Sequence, residues 1–394
     1  MILPGGRGAL TYCLNIHPTQ SWAEARAALL GPVRAVKAAL SPDAPFVVGL
    51  RVSHAAMAEL EAEGPRAELK KILEGEGFLA RTMNGFPYGP FHGARVKEEV
   101  YLPDWRAEAR LDYTLALARL LAEVNEEGAF ISLSTVPGAF KPNGGGAEAA
   151  MTDMYLRAVA GFRRIEAETG RRVALAIEPE PFCFLETIEE TVAYFRDWLF
   201  APAAALRLAA LAGISAAEAA AALPRHLGLC YDVCHAAVEF EDAAGSIAAL
   251  REAGVPVHKL QLSSALRIPT GSPAARAALK RFDEPTYLHQ LVEKGPEGLR
   301  RFPDLGPALG EGGAVDGREW RVHFHVPVFL ERLPEFGTTQ AFLAEILALH
   351  RAAPISPHLE VETYTWGVLP EGLAAGSVEA AVIRELEWVK GRLA

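Results

Sequence analysis

Short runs of β-forming residues recur along this chain, separated by longer Ala-, Leu- and Glu-rich stretches of helical periodicity. That alternation restricts it to folds made of parallel strands joined by helical crossovers. Nine runs read as strands: Leu10 to Ile16, Phe46 to Ser53, Phe78 to Met83, Ala129 to Thr135, Val173 to Ile177, Leu227 to Tyr231, Val257 to Ser263, Val322 to Val328 and Leu359 to Thr365. Helical periodicity fills Ser21 to Leu40, Arg106 to Asn125, Ala147 to Thr169, Ile188 to Phe200 and Thr338 to Ala352. Ser21 stands three residues before Glu24, the spacing of a capping box, and Thr338 precedes another apolar helix. Eight strand-helix units plus one extra strand is the count of an α/β protein of the (β/α)8 TIM barrel type with an insertion. No Pro-, Ser- or charge-rich linker divides the chain, so one domain over 1–394 is expected. The Gly- and Pro-rich stretch Ala265 to Arg321 reads as a cap inserted between the seventh and eighth barrel strands, with Tyr287 to Val292 as a short strand inside it.

Composition removes several classes of function. Half of the 394 residues are hydrophobic and 22% are charged, enough apolar material for a large core. A formal charge of −10 disfavours a polyanionic partner, so nucleic acid and anionic membrane surfaces are not expected and a small-molecule metabolite is. Four scattered cysteines make no disulfide framework, and the N-terminus lacks signal-peptide order, so a cytoplasmic setting is expected. The Ala-rich run Leu199 to Leu223 is broken by Pro202, Arg207 and Glu218, and reads as a packed helix rather than a membrane span. Oligomeric state stays open.

The informative pattern is where ionisable residues fall on the strands. Arg171 to Ile177 ends in Glu178-Pro-Glu-Pro181, and the two prolines terminate the strand with Glu178 at its tip. Leu227 to Tyr231 ends in Asp232-Val-Cys-His235. Lys259-Leu-Gln-Leu-Ser263, His323-Phe-His325 and Glu360-Val-Glu362 follow on later strands. Alternation puts His323 with His325, and Glu360 with Glu362, on one face. A barrel collects its active site at the C-terminal ends of its strands, so these residues converge if the fold is right. Buried carboxylates must be paired, protonated or bound to metal. Two Glu, one Asp and His or Gln suit Mn²⁺, Mg²⁺, Co²⁺ or Zn²⁺. His325, on the inserted strand, is a candidate to complete the set. After the third strand, Asn84 and His92 lie in a Gly/Pro-rich aromatic loop suited to a polar substrate, and His17 ends the first strand.

Ile177-Glu-Pro-Glu-Pro181 and Asp232-Val-Cys-His235 resemble motifs of the xylose-isomerase-like barrel superfamily of sugar isomerases, sugar 3-epimerases and endonuclease IV. The resemblance implies Glu178, Asp232 and Glu362 as ligands of a divalent metal and His235 as a residue beside it. It also implies Glu178 and Glu362 as a catalytic acid/base pair. Gln261 stands where the family has a strand-seven His or Asp. Glu180 stands where the isomerases have Lys. With His17, Asn84, His92 and His323, the residues His235, Gln261 and Glu180 form the expected substrate-binding set. A likeness over most of the chain, carried by Thr11 to His17, Lys259 to Ser264, Tyr287 to Gln290, His323 to Pro327 and Glu362 to Trp366, is to the barrel protein of the bacterial Ebo metabolite-traffic cluster. Together these imply an isomerase or epimerase working through an enediolate on a sugar-like metabolite. The alternative is a metabolite-binding carrier barrel without turnover.

Overall fold

The computed structural model describes residues 1–92, 95–269, 273–310, 317–369 and 376–394. Seven parallel strands come first: β1 Ala9–Tyr12, β2 Phe46–Leu50, β3 Phe78–Asn84, β4 Phe130–Thr135, β5 Arg172–Ile177, β6 Leu227–Asp232 and β7 Val257–Leu262. Five short strands follow: β8 Leu266–Ile268, β9 Leu291–Gly295, β10 Gly298–Phe302, β11 Glu319–Val322 and β12 Gly337–Thr338. The last barrel strand is β13 His358–Val361. Strands β1 to β7 pair in sequence order apart from the gap between β1 and β2, and β13 sits between β7 and β1. The gap is closed by a parallel bridge from Cys13 to Gly49 and by the Thr11 hydroxyl, which donates to the Val47 carbonyl at 2.6 Å. The fold is a (β/α)8 TIM barrel.

Burial explains why these runs are strands. Parallel strands covered on both faces read as continuous apolar runs, and every residue of β2, β6 and β7 is buried. The barrel interior is polar nonetheless. Lys259 Nζ lies 2.7 Å from Glu360 Oε1, both side chains shut off from solvent, and 3.3 Å from Ser134 Oγ. Burial is the largest influence on the Lys259 ammonium and works against it, but Glu360, Cys230, Cys13 and Glu178 together outweigh it and raise the Lys259 pKa. Gly49 makes room for this pair, because a Cβ there would stand 2.0 Å from Glu360 Oε2 and 2.6 Å from the Tyr12 carbonyl.

Strands β8 to β12 form an antiparallel five-stranded sheet in the order β10-β9-β11-β8-β12, inserted between the seventh and eighth barrel strands. Its pairing runs on to Thr338, beyond the expected span of 265–321, of which 270–272 and 311–316 lie outside the described residues. Several expected strands are shorter or displaced. Leu14–Ile16 and Tyr364–Gly367 are 3-10 turns that end β1 and β13 early. The run Val322 to Val328 leaves the sheet after Val322. Its alternating Phe324, Val326 and Val328 are buried in core rather than laddered, and the two histidines between them face the barrel mouth. The strand expected at Tyr287 to Val292 begins only at Leu291, because Tyr287 and Gln290 turn towards the cavity and loop contacts described below.

Ser21 makes the full capping box with Glu24. The helix expected over Ser21 to Leu40 is interrupted by a π turn at Leu29–Val33, which contains Pro32. Thr338 pairs in β12, and Thr339 takes the cap position of the helix Gln340–Ala352. Among the described residues no single helix is long and apolar enough to cross a membrane. The bent pair Pro202–Ala212 and Ala216–His226 passes only when joined across a 99° bend.

Candidate active site

Each acidic residue of the site is placed by the end of a barrel strand. Glu178 follows β5 directly, its N–H still donating to the Thr135 carbonyl at 3.1 Å. Asp232 is the last residue of β6 and the cap of the helix Val233–Val238; its Oδ1 accepts from the His235 N–H at 2.9 Å and from Ser263 Oγ at 2.7 Å. Glu362 follows β13, its N–H donating to the Leu262 carbonyl at 3.0 Å. One carboxylate oxygen from each of Glu178, Asp232 and Glu362 lies within 4.8 Å of the other two, and all three residues are buried.

The donor set fits a divalent cation. Glu178 Oε2 and Asp232 Oδ2 are buried without any hydrogen-bond partner, as are both amide atoms of Gln261. Burial first, then the Glu362 and Asp232 carboxylates, push the Glu178 carboxyl well above the ordinary carboxylate range. Like charges held this close need a proton or a cation between them. Glu362 is oriented by two side-chain amides: Oε1 accepts from Asn84 Nδ2 at 3.1 Å and from Asn15 Nδ2.

Three imidazoles stand beside the carboxylates. His235 follows from the helix that Asp232 caps, whereas His323 and His325 come from the segment that leaves β11. His323 Nε2 is 3.1 Å from His235 Nε2 and 3.2 Å from His325 Nε2. Burial, then the facing rings of His235 and His325, hold His323 well below the usual histidine range. His325 thus joins Asp232 and His235, and lies beside the three-carboxylate group rather than inside it.

A cavity of about 60 Å³ opens over these groups. At about 10–15 Å³ per water-sized site, that is room for roughly four to six waters, so it suits a small polar molecule. Its floor is Glu178, Glu362, His235, His323 and His325, and its walls are Phe86, Phe91, Tyr101, Tyr287 and Tyr364. Glu180 lines it too, but Oε1 is taken by the Tyr101 hydroxyl at 2.6 Å and the Gln290 amide at 3.2 Å, so it serves to hold the wall.

Three expected substrate contacts lie elsewhere. His17 packs edge-on against Tyr12 and bonds its hydroxyl at 3.1 Å, outside the cavity. Both ring nitrogens of His92 are used, on the Asn15 carbonyl and on the Tyr287 hydroxyl at 2.9 Å, which places it behind the wall. Gln261 is wholly buried within the sheet, in register with Asp232 on one side and Glu360 on the other. Asn84 does line the cavity. Sequence reasoning missed Asn15, Tyr101 and Gln290 as site residues. Asn15 and Gln290 fall inside segments singled out for resemblance, but nothing in their spacing marks an amide aimed at a carboxylate or an imidazole.

No family model matches the chain, and no curated protein matches it. Solved structures do. A xylose isomerase-like TIM barrel protein from Mycobacterium smegmatis, in complex with magnesium, has 12% identity and a TM-score of 0.50, covering 98% of this chain and 96% of that one. A D-tagatose 3-epimerase-like protein has 9% identity and a TM-score of 0.48, covering 98% and 97%. A xylose isomerase domain protein from Alicyclobacillus acidocaldarius has 12% identity and a TM-score of 0.46, covering 98% of each. These are likenesses of fold.

Proposed function

We propose that the protein is a divalent-metal enzyme of the sugar isomerase and epimerase class, moving a proton at a carbon next to a carbonyl of a small sugar-like or polyol-like metabolite. The observation that carries this reading is the meeting of Glu178, Asp232 and Glu362 under a small cavity, with two carboxylate oxygens left without partners. The magnesium described for the Mycobacterium smegmatis barrel agrees with such a site. Glu178, Asp232 and Glu362 would hold the ion. When bound, it would supply positive charge to adjacent substrate oxygens as negative charge develops on them.

The chain supplies the proton transfers. Strands β5 and β13 stand three places apart in the ring of eight, so Glu178 and Glu362 approach a substrate from different sides. Asn15 and Asn84 fix Glu362 through one oxygen, which leaves the other to remove the proton. Glu178 returns one to the other face. The aromatic walls exclude water and favour the apolar edge of a polyol. On sequence motifs alone, we further assign the protein to Ebo-type metabolite traffic in the cytoplasm.

Hydrogen exchange tests this. Metal-loaded protein in deuterium oxide is expected to label ketoses or aldoses of a panel at the carbon next to the carbonyl, and Glu362→Gln to slow labelling by about 10²- to 10⁴-fold. Bound metal without exchange into any substrate would overturn the reading.

A further inference from the structure

The polar hydrogens of the cavity lining are spent on the protein itself. His92 Nε2 donates to the Asn15 carbonyl, so His92 Nδ1 accepts and the Tyr287 hydroxyl donates to it at 2.9 Å. The Tyr101 hydroxyl donates to Glu180 Oε1 at 2.6 Å. Asn84 Nδ2 donates to Glu362 Oε1 at 3.1 Å, while its Oδ1 accepts from the Phe86 N–H at 3.0 Å. His235 Nδ1 and His325 Nδ1 donate to the carbonyls of Pro179 and Glu362 at 2.9 and 2.7 Å, which leaves each Nε2 an acceptor. Gln290 Nε2 donates to the Pro181 carbonyl at 3.1 Å, so Gln290 Oε1 accepts from His323 Nδ1 at 2.8 Å and gives His323 the same tautomer. Lys97, the one permanent cation among the described lining residues, is paired with Asp304 Oδ2 at 2.7 Å.

What the lining leaves over is lone pairs. Asn15 gives Nδ2 to Glu362 and keeps Oδ1 buried without a partner, in a residue only 2% exposed. Glu180 holds the wall through Oε1, and among the described residues no hydrogen bond reaches its other oxygen. Apart from the Tyr364 hydroxyl, which can accept as well as donate, a ligand here meets acceptors. A hydroxyl brings one hydrogen and two lone pairs of its own, whereas a protonated primary amine brings three hydrogens and no lone pair. Charge points the same way. A divalent ion held by Glu178, Asp232 and Glu362 leaves that trio one negative charge in excess, and Glu180 adds another beside it. The wall contributes Phe91, Tyr287 and Tyr364, with ring centres 5.2, 5.4 and 5.1 Å apart at mutual angles of 47, 62 and 71°, so that they offer ring faces as well as edges to a cation. We propose that the substrate carries a protonated primary amine beside its hydroxyls, with Glu180 as counter-charge, Asn15 Oδ1 as one acceptor and the aromatic wall against it. This rests on the cavity being the site of a small polyol-like metabolite, as above, and names the class of that metabolite.

The probes are 2-amino-1,3-propanediol and glycerol, which differ only by an ammonium in place of one hydroxyl. Isothermal titration calorimetry compares them on the full-length protein, saturated with magnesium so that the amine cannot take the metal's place; magnesium prefers oxygen ligands and leaves the amine to the chain. The amine is expected to bind at least about tenfold more tightly than glycerol. Glu180→Gln keeps an oxygen to accept from Tyr101 and Gln290 but loses the charge, and should bring the two affinities together. Equal affinities in wild type, no binding of the amine, or a preference that Glu180→Gln leaves whole would each overturn the proposal. Should Glu180→Gln not fold, the wild-type comparison decides alone. The measurement needs no turnover, so a protein that prefers the amine yet labels no carbonyl compound in deuterium oxide sinks the isomerase reading and supports this one.

Discussion

Asp232 does two jobs with two oxygens, and they can be separated. Oδ1 caps a helix and accepts from Ser263, while Oδ2 is buried without a partner, and one Asp232 oxygen lies within 4.8 Å of Glu178 and Glu362. Asp232→Asn keeps an acceptor for the cap but replaces the anionic ligand with a neutral amide. Elemental analysis should show most divalent metal lost, with a thermal midpoint equal to or above that of the metal-free parent, because one like charge leaves the cluster. Unchanged metal content would make Asp232 a structural carboxylate. Lys259 shows the opposite case, a charge whose partner cannot leave. Lys259→Met strands the Glu360 carboxylate inside the barrel, and chemical denaturation should show a loss of about 3–5 kcal/mol. Adding Glu360→Gln should return part of it. A single mutant as stable as the parent would mean that water or a neighbouring group already satisfies Glu360.

At the scale of elements, the inserted sheet behaves as a separable unit in its packing. Leu266, Ile268, Phe282, Leu291, Trp320 and Phe324 belong to a core of their own, apart from the barrel core. The two ends of the insertion meet: Ala265 N–H donates to Thr339 Oγ1 at 2.8 Å, and Thr339 N–H to the Ala265 carbonyl at 2.9 Å. Replacing 266–338 by a two-glycine linker should therefore leave a chain with barrel-like circular dichroism and cooperative melting that still binds manganese by electron paramagnetic resonance. An unfolded product would show that the barrel needs the sheet. The barrel strands were legible because both faces are buried, so apolar runs such as Phe46 to Leu50 stand out. The carboxylates were legible because prolines at 179 and 181 fix Glu178 at a strand tip. The sheet was not. Its strands are two to five residues long, and the alternation that continues past Val322 to Val328 has strand periodicity without a strand partner. The ion pair of Lys259 and Glu360 was hidden for another reason, since it depends on two strands distant in sequence being neighbours in the barrel.

Taken as a whole, the molecule buries more acid than base around its mouth, and this fixes how its stability responds to pH. Burial raises Glu385 to about 7, and burial with neighbouring carboxylates raises Glu178 and Glu239. A carboxyl whose folded pKa exceeds its unfolded one holds a proton in the native state that the unfolded chain has already released. Its contribution is full below about pH 4.5 and is lost as pH rises to the folded value. Histidines run the other way. Burial lowers His258 and His358 to about 3, so their penalty grows as pH falls below about 6.5 and is absent above it. The Met1 amine, lowered to about 5, gains stability with rising pH up to about 8, one group against three. Metal-free protein should therefore be most stable near pH 6.5 and lose stability from there to pH 8. A divalent ion between Glu178, Asp232 and Glu362 takes the place of the proton on Glu178, so it competes with protons and binds better as pH rises. Differential scanning calorimetry with manganese or with chelator, at steps from pH 5.5 to 8, should show a metal-induced gain in midpoint that grows with pH. A gain of the same size at every pH would mean that the ion displaces no proton and sits elsewhere than among these carboxylates.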